Sequence, residues 1–130
     1  MSQKIETVFK YNGKEYEFDV SDAEYTEKLE AAADKMREEE SKIPKTGLAS
    51  EIIKAQCKLI KNYFDNCLGE GKGNEICTEK NKLSVCYDAY ESFLLFVKAQ
   101  NSAIMQKKNS FSGFSNRQQR RAATKANNKK

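Results

Sequence analysis

Apolar and polar residues alternate along residues 4–20, with one interruption at Asn12-Gly13. That dipeptide tolerates the positive φ angles of a type I′ turn, so the pattern predicts a β-hairpin. Pairing about the turn sets Phe9 opposite Tyr16, Thr7 opposite Phe18 and Ile5 opposite Val20 on one face. Lys10 falls opposite Glu15 on the other. A two-stranded hairpin is marginal alone in water, so its apolar face must lie on helices or its edges must find a partner strand.

After Val20 the period lengthens from two to that of a helix. Ser21 and Glu24 read as a capping box that opens a helix through about Glu40, with Tyr25, Leu29, Ala32 and Met36 as its apolar stripe. Pro44 ends this segment, and Thr46 is placed to cap a second helix running to about Leu68. The second helix has a wider stripe of Ile52, Ile53, Leu59, Ile60, Tyr63, Phe64, Cys67 and Leu68, opposed by Lys54, Lys58 and Lys61. It is therefore the expected centre of the core. A helix-ending turn accounts for the glycines of Gly69-Glu70-Gly71-Lys72-Gly73, and Asn74 starts a short helix through Cys77. Asn81 caps a last helix to about Gln106, on which Leu83, Cys86, Tyr90, Phe93, Leu94 and Val97 form one face. Tyr87, Leu95 and Phe96 widen that face beyond what one neighbour needs, which marks a contact surface.

The predicted fold is thus α+β, mainly α: an N-terminal hairpin and a bundle of about three helices over residues 1–106, then a tail over 107–130. With 38% hydrophobic and 32% charged residues among 130, a single thin core is expected. The charge is divided. Residues 107–130 contain eight Lys and Arg and no acid, leaving 15 basic against 19 acidic side chains on residues 1–106. A tail of Ser, Gly, Asn, Gln, Lys and Arg cannot build a core and is expected to be disordered when free. Within it, residues 116–123 can form a short helix on a partner. The tail reads equally as a solubilising appendage or as a functional segment, in which Phe111 and Phe114, with Arg117, Arg120 and Arg121, make a mobile clamp for that partner. A protein is favoured over nucleic acid, because the acidic body repels a phosphate backbone.

Catalysis has little support. There is no histidine, and the carboxylates, lysines and cysteines show no distinctive clustering, so a non-catalytic chain without a cofactor is expected. Gly69 to Gly73 lack the spacing of a phosphate loop and follow a helix where such a loop follows a strand. Cys57, Cys67, Cys77 and Cys86 form no CxxC pair, which disfavours structural zinc. Cys57 and Cys67 lie roughly 15 Å apart along one helix, too far for a disulfide with each other; all four read as reduced core thiols, with a disulfide between helices as the alternative in an oxidising setting. No run approaches the roughly 20 apolar residues of a membrane span, and the N-terminus lacks a signal-peptide core, so a cytoplasmic location is expected.

Residues 52–94 resemble small tail-region proteins of phages and prophages of low-GC Gram-positive bacteria. The shared features are Tyr63-Phe64-Asp65 at a helix end, the Gly69-Glu70-Gly71 turn, the Asn81 cap and the Ala89-Tyr90-Glu91 patch. Residues 116–122 are similar to their basic C-terminal ending, whereas Cys77 and Cys86 stand where ordinary apolar residues are expected. Such proteins are similar in size and placement to tail assembly chaperones, which bind the tape-measure protein and keep its hydrophobic helices soluble until tube subunits displace them. The resemblance implies a bacterial host cytoplasm, self-association and a long helical client in virion morphogenesis. The same residues also suit a small inhibitor of a host defence component, or a nucleic-acid accessory protein acting through its tail.

Overall fold

The computed structural model describes the backbone of residues 5–128 and the side chains of residues 5–112. Strands β1 (Val8–Tyr11) and β2 (Lys14–Glu17) form an antiparallel hairpin, followed by helices α1 (Ala23–Glu40), α2 (Ala49–Leu68), α3 (Lys72–Cys77) and α4 (Leu83–Asn128). The hairpin has the expected register, with Phe9 paired to Tyr16 and Lys10 to Glu15. Its turn residues Asn12 and Gly13 take φ of 50° and 75°. A hydrogen bond from Phe18 N to Thr7 O, 2.7 Å, carries the register one pair further.

Alternation places Phe9, Tyr16 and Phe18 on one face, and all three are buried. They lie on α4, where Phe93 is the hub of an aromatic cluster. Its ring centroid is 5.2 Å from Phe9, 5.3 Å from Phe18, 5.6 Å from Phe64 and 6.1 Å from Tyr63. All four of these contacts are edge-to-face, the arrangement that sets the positive ring edge against the negative face of its neighbour. The core therefore joins hairpin, α2 and α4, with α1 adding Ala32 and the partly buried Tyr25, Leu29 and Met36.

Gln100 is a buried polar residue inside this core. Its Nε2 donates to the carbonyls of Glu6 and Phe18, both at 2.7 Å, and its Oε1 accepts from Val20 N at 2.8 Å. Three backbone groups at the open end of the hairpin are satisfied at once, where the two-stranded ladder has run out.

Several helix boundaries differ from the sequence reading. Asp22, not Ser21, is the N-cap of α1; its carboxylate accepts from Glu24 N at 2.9 Å, while the Ser21 hydroxyl donates to Asp19. A carboxylate is the stronger acceptor at the positive helix end. Helix α2 starts after Leu48 with no side-chain cap, so Thr46 does not serve as one. Helix α3 begins at Lys72 behind Gly71, two residues before Asn74, and α4 begins at Leu83.

Helix α4 does not stop near Gln106 but continues to Asn128. No proline interrupts this stretch; residues 109–116, with Gly113 and several Ser and Asn, are poor helix formers, and the Gln, Arg, Lys and Ala that follow are good ones. Residues 107–112 are exposed and add nothing to the core.

The glycine-rich segment has two physical explanations rather than one. Gly69 and Gly71 take φ of 124° and 85°, as a helix-ending turn requires. Gly73 lies inside α3 and is buried; a Cβ there would sit 2.2 Å from the carbonyl oxygen of Lys61. It permits α3 to press against the α2 backbone, and Asp65 Oδ1 accepts its amide at 2.7 Å.

Candidate protein-docking surface

The C-terminal end of α1, the 41–48 connection, α2 and the start of α4 enclose a groove of about 460 Å³. Met36 comes from the apolar stripe of α1, Ile43 and Pro44 from the connection, Ile52 and Leu59 from α2, and Tyr87 and Tyr90 from α4. Pro44 forbids continuation of α1, so the chain turns across the groove before α2 begins. Glu40 and Lys45 are its charged lining residues, and Glu38 and Glu39 lie just before it on α1. Tyr87 is half exposed, and its hydroxyl donates to Gln56 Oε1 at 3.0 Å, which holds the ring over the groove.

A second apolar strip follows α4 away from the body through Leu94, Val97 and Met105, with Lys98, Asn101 and Ser102 between them. Leu94 and Met105 are exposed. Leu94 follows Tyr90 by four residues and Tyr87 by seven on α4, so the strip continues the helix face that lines the groove.

The residues singled out from the sequence separate on this surface. Tyr87 belongs to the groove. Leu95 is exposed but lies about 80° around α4 from Tyr87, because eight residues carry 100° of rotation each. Phe96 belongs to the core instead of a surface: its ring is 5.5 Å from Phe9 and 6.3 Å from Phe93. Phe111 is 73% exposed on α4 beyond the body. Phe114, Arg117, Arg120 and Arg121 lie outside the residues whose side chains are described. Among the described residues the hairpin has no third strand, so the outer edges of β1 and β2 remain open to pairing.

The sequence reading missed Ile43, Pro44, Ile52 and Leu59 as site residues. The available signal was the pair of apolar residues Ile43 and Leu48 inside a short polar connection, where nothing in a thin core demands them.

All four cysteines are buried and unpaired. Burial pushes the Cys57 thiol up to about 11, helped by the Cys86 thiol beside it, and pushes Cys67 up to about 12. Cys77 and Cys86 are also raised, chiefly by burial. Thiolates are the reactive form, so these groups are suppressed as nucleophiles. In the unfolded chain a thiol loses its proton near its ordinary value of 9.0, whereas Cys57 and Cys67 keep theirs to about 11 and 12. The unfolded state then binds fewer protons, so stability is full below pH 9 and falls as pH rises. Urea titrations from pH 8 to 11 are expected to show a loss approaching about 1.4 kcal/mol per pH unit for each of these two thiols. Cys67→Ala, whatever it does to stability at pH 8, is expected to make the decline shallower. An unchanged slope would assign the loss to other groups.

Among the described residues no helix is long and apolar enough to cross a membrane. No curated protein and no solved structure matches the chain. Residues 12–124 match the model of a family of unknown function, DUF6673.

Proposed function

The chain belongs to DUF6673, a family of unknown function, and we propose that it is a non-catalytic tail assembly chaperone of a Gram-positive phage or prophage. In this reading it acts in the host cytoplasm and holds the hydrophobic helices of the tape-measure protein in solution. The observation that carries the proposal is the open apolar track running from the groove at Tyr87 along Leu94 and Met105. A client helix presents apolar side chains every three or four residues, and a track lined by Met, Ile, Leu and Tyr accepts such a row without demanding one sequence. Glu40, Lys45 and Gln56 make the groove partly polar, which suits the reversible binding that displacement by tube subunits requires. The resemblance of residues 52–94 to phage tail-region proteins supplies the identity of the client.

The test is coexpression with a fragment of a phage tape-measure protein. A soluble complex is expected for the native chain, and Ile52→Asp with Tyr87→Asp is expected to return the fragment to the pellet while the chaperone itself stays folded. Failure of the native chain to solubilise the fragment would remove this reading.

A further inference from the structure

The bond from Phe18 N to Thr7 O makes residues 7 and 18 a hydrogen-bonded pair of the hairpin. Pairs alternate in type along an antiparallel ladder, so Phe9 with Tyr16 is the next of that kind. The pairs between, Val8 with Glu17 and Lys10 with Glu15, turn their N–H and C=O groups outward. The two outer edges then differ. On β1 the Val8 amide is already engaged, donating to the Glu6 carboxylate at 3.1 Å. On β2 the amides and carbonyls of Glu15 and Glu17 make no hydrogen bond among the described residues, and both residues are exposed.

The side chains along that edge have one sign. Glu15 and Glu17 stand two apart on the solvent face of β2, opposite the face that buries Tyr16 and Phe18, and Asp19 follows them. Across the ladder this face holds a single base, Lys10 against Glu15, while Val8 stands against Glu17. Lys14, the other base of the two strands, turns to the opposite face, where its Nζ donates to the Glu75 carbonyl at 3.3 Å. Neither glutamate is in an ion pair among the described residues.

We propose that the outer edge of β2 is a docking site for an extended segment of another protein with Lys or Arg at alternate positions, added as a third strand. Its backbone meets the four free groups of Glu15 and Glu17, and its cations stand beside the two carboxylates. A second copy does not fit, because β2 against β2 across a two-fold axis sets glutamates against glutamates. The charge that guards the edge against its own kind admits a strand of opposite sign, so it selects as well as attracts. The contact is short, and weak binding in fast exchange is expected. This site takes a strand on the hairpin, whereas the groove takes a helix between helices, so it holds or fails independently of the chaperone reading.

The experiment is an amide NMR titration of the full native chain with a short peptide alternating lysine and valine. It is run beside the same peptide N-methylated at its lysine amides, which keeps the charge and removes the backbone donors. The Glu15 and Glu17 amides are expected to shift and gain protection from exchange, while the Tyr16 amide, already in the ladder, keeps the protection it has. N-methylation is expected to weaken binding about tenfold or more. Glu15→Lys with Glu17→Lys, at exposed positions, is expected to lose the lysine peptide and to accept its glutamate counterpart. Equal affinity for the N-methylated peptide would reduce the attraction to charge alone and overturn the proposal, and this comparison needs no variant to fold. No binding, shifts centred away from β2, or a charge-reversed protein that still prefers lysine overturns it equally.

Discussion

Phe93→Ala is expected to lose about 4 kcal/mol of stability, the middle of the range for emptying an aromatic site in a core. Its ring lies within aromatic contact of Phe9, Phe18, Tyr63 and Phe64, which come from the hairpin and α2. Four rings cannot all move inward to fill the space, because each is anchored to a separate backbone position. A domain of this size has only about 5–15 kcal/mol in total, so the variant stands near the threshold of folding. Urea denaturation should show a lower midpoint with an unchanged slope. Tyr87→Ala on the same helix, half exposed at the groove, should move stability by about 0.5 kcal/mol or less. A loss below 1 kcal/mol for Phe93→Ala would place the centre of the core elsewhere.

The second large effect is expected from adding a single methyl group. In an exposed helix interior, Gly→Ala gains about 1 kcal/mol through backbone entropy. At Gly73 the sign reverses. The new Cβ would meet the Lys61 carbonyl oxygen at 2.2 Å and the Lys61 carbonyl carbon and Cα at 2.7 Å. These are backbone atoms of α2 and cannot swing aside as a side chain would. Helix α3 must then retreat, which lengthens the 2.7 Å bond from Gly73 N to Asp65 and loosens buried Ile76 and Cys77. Overpacking of this kind costs about 3 kcal/mol. Thermal unfolding of Gly73→Ala beside Asn74→Ala, at an exposed position of the same helix, separates close approach from helix propensity. A neutral or stabilised Gly73→Ala would show that α3 is free to shift.

These two residues differ in how visible they were beforehand. Phe93 lies at the centre of a face marked by Cys86, Tyr90 and Val97, so its burial follows from spacing alone. Gly73 is one of three glycines in five residues, and a turn accounts for all three until α3 is seen against α2. Gln100 sits seven residues after Phe93 on the same face, where a lone polar residue signals either exposure or a buried bond. Only the arrival of the hairpin's open end selects the second. Phe96 misleads in the opposite direction: with Tyr87 and Leu95 it widens the apolar face of α4 beyond one neighbour's need, but the hairpin uses Phe96 and leaves Leu95 outside.

The sequence by itself determined the hairpin, its turn and register, the order of the four helices and most of their apolar faces. Those features depend on periods of two and 3.6 and on turn chemistry, which act over a few residues and are written locally. Tertiary structure alone decided that Gly73 touches Lys61, that Gln100 closes the hairpin and that Phe93 joins three elements. It also decided that Met36, Ile43, Ile52 and Tyr87 line one groove. Each of these depends on the distance between backbones far apart in the chain, and close packing turns differences of an ångström there into kilocalories.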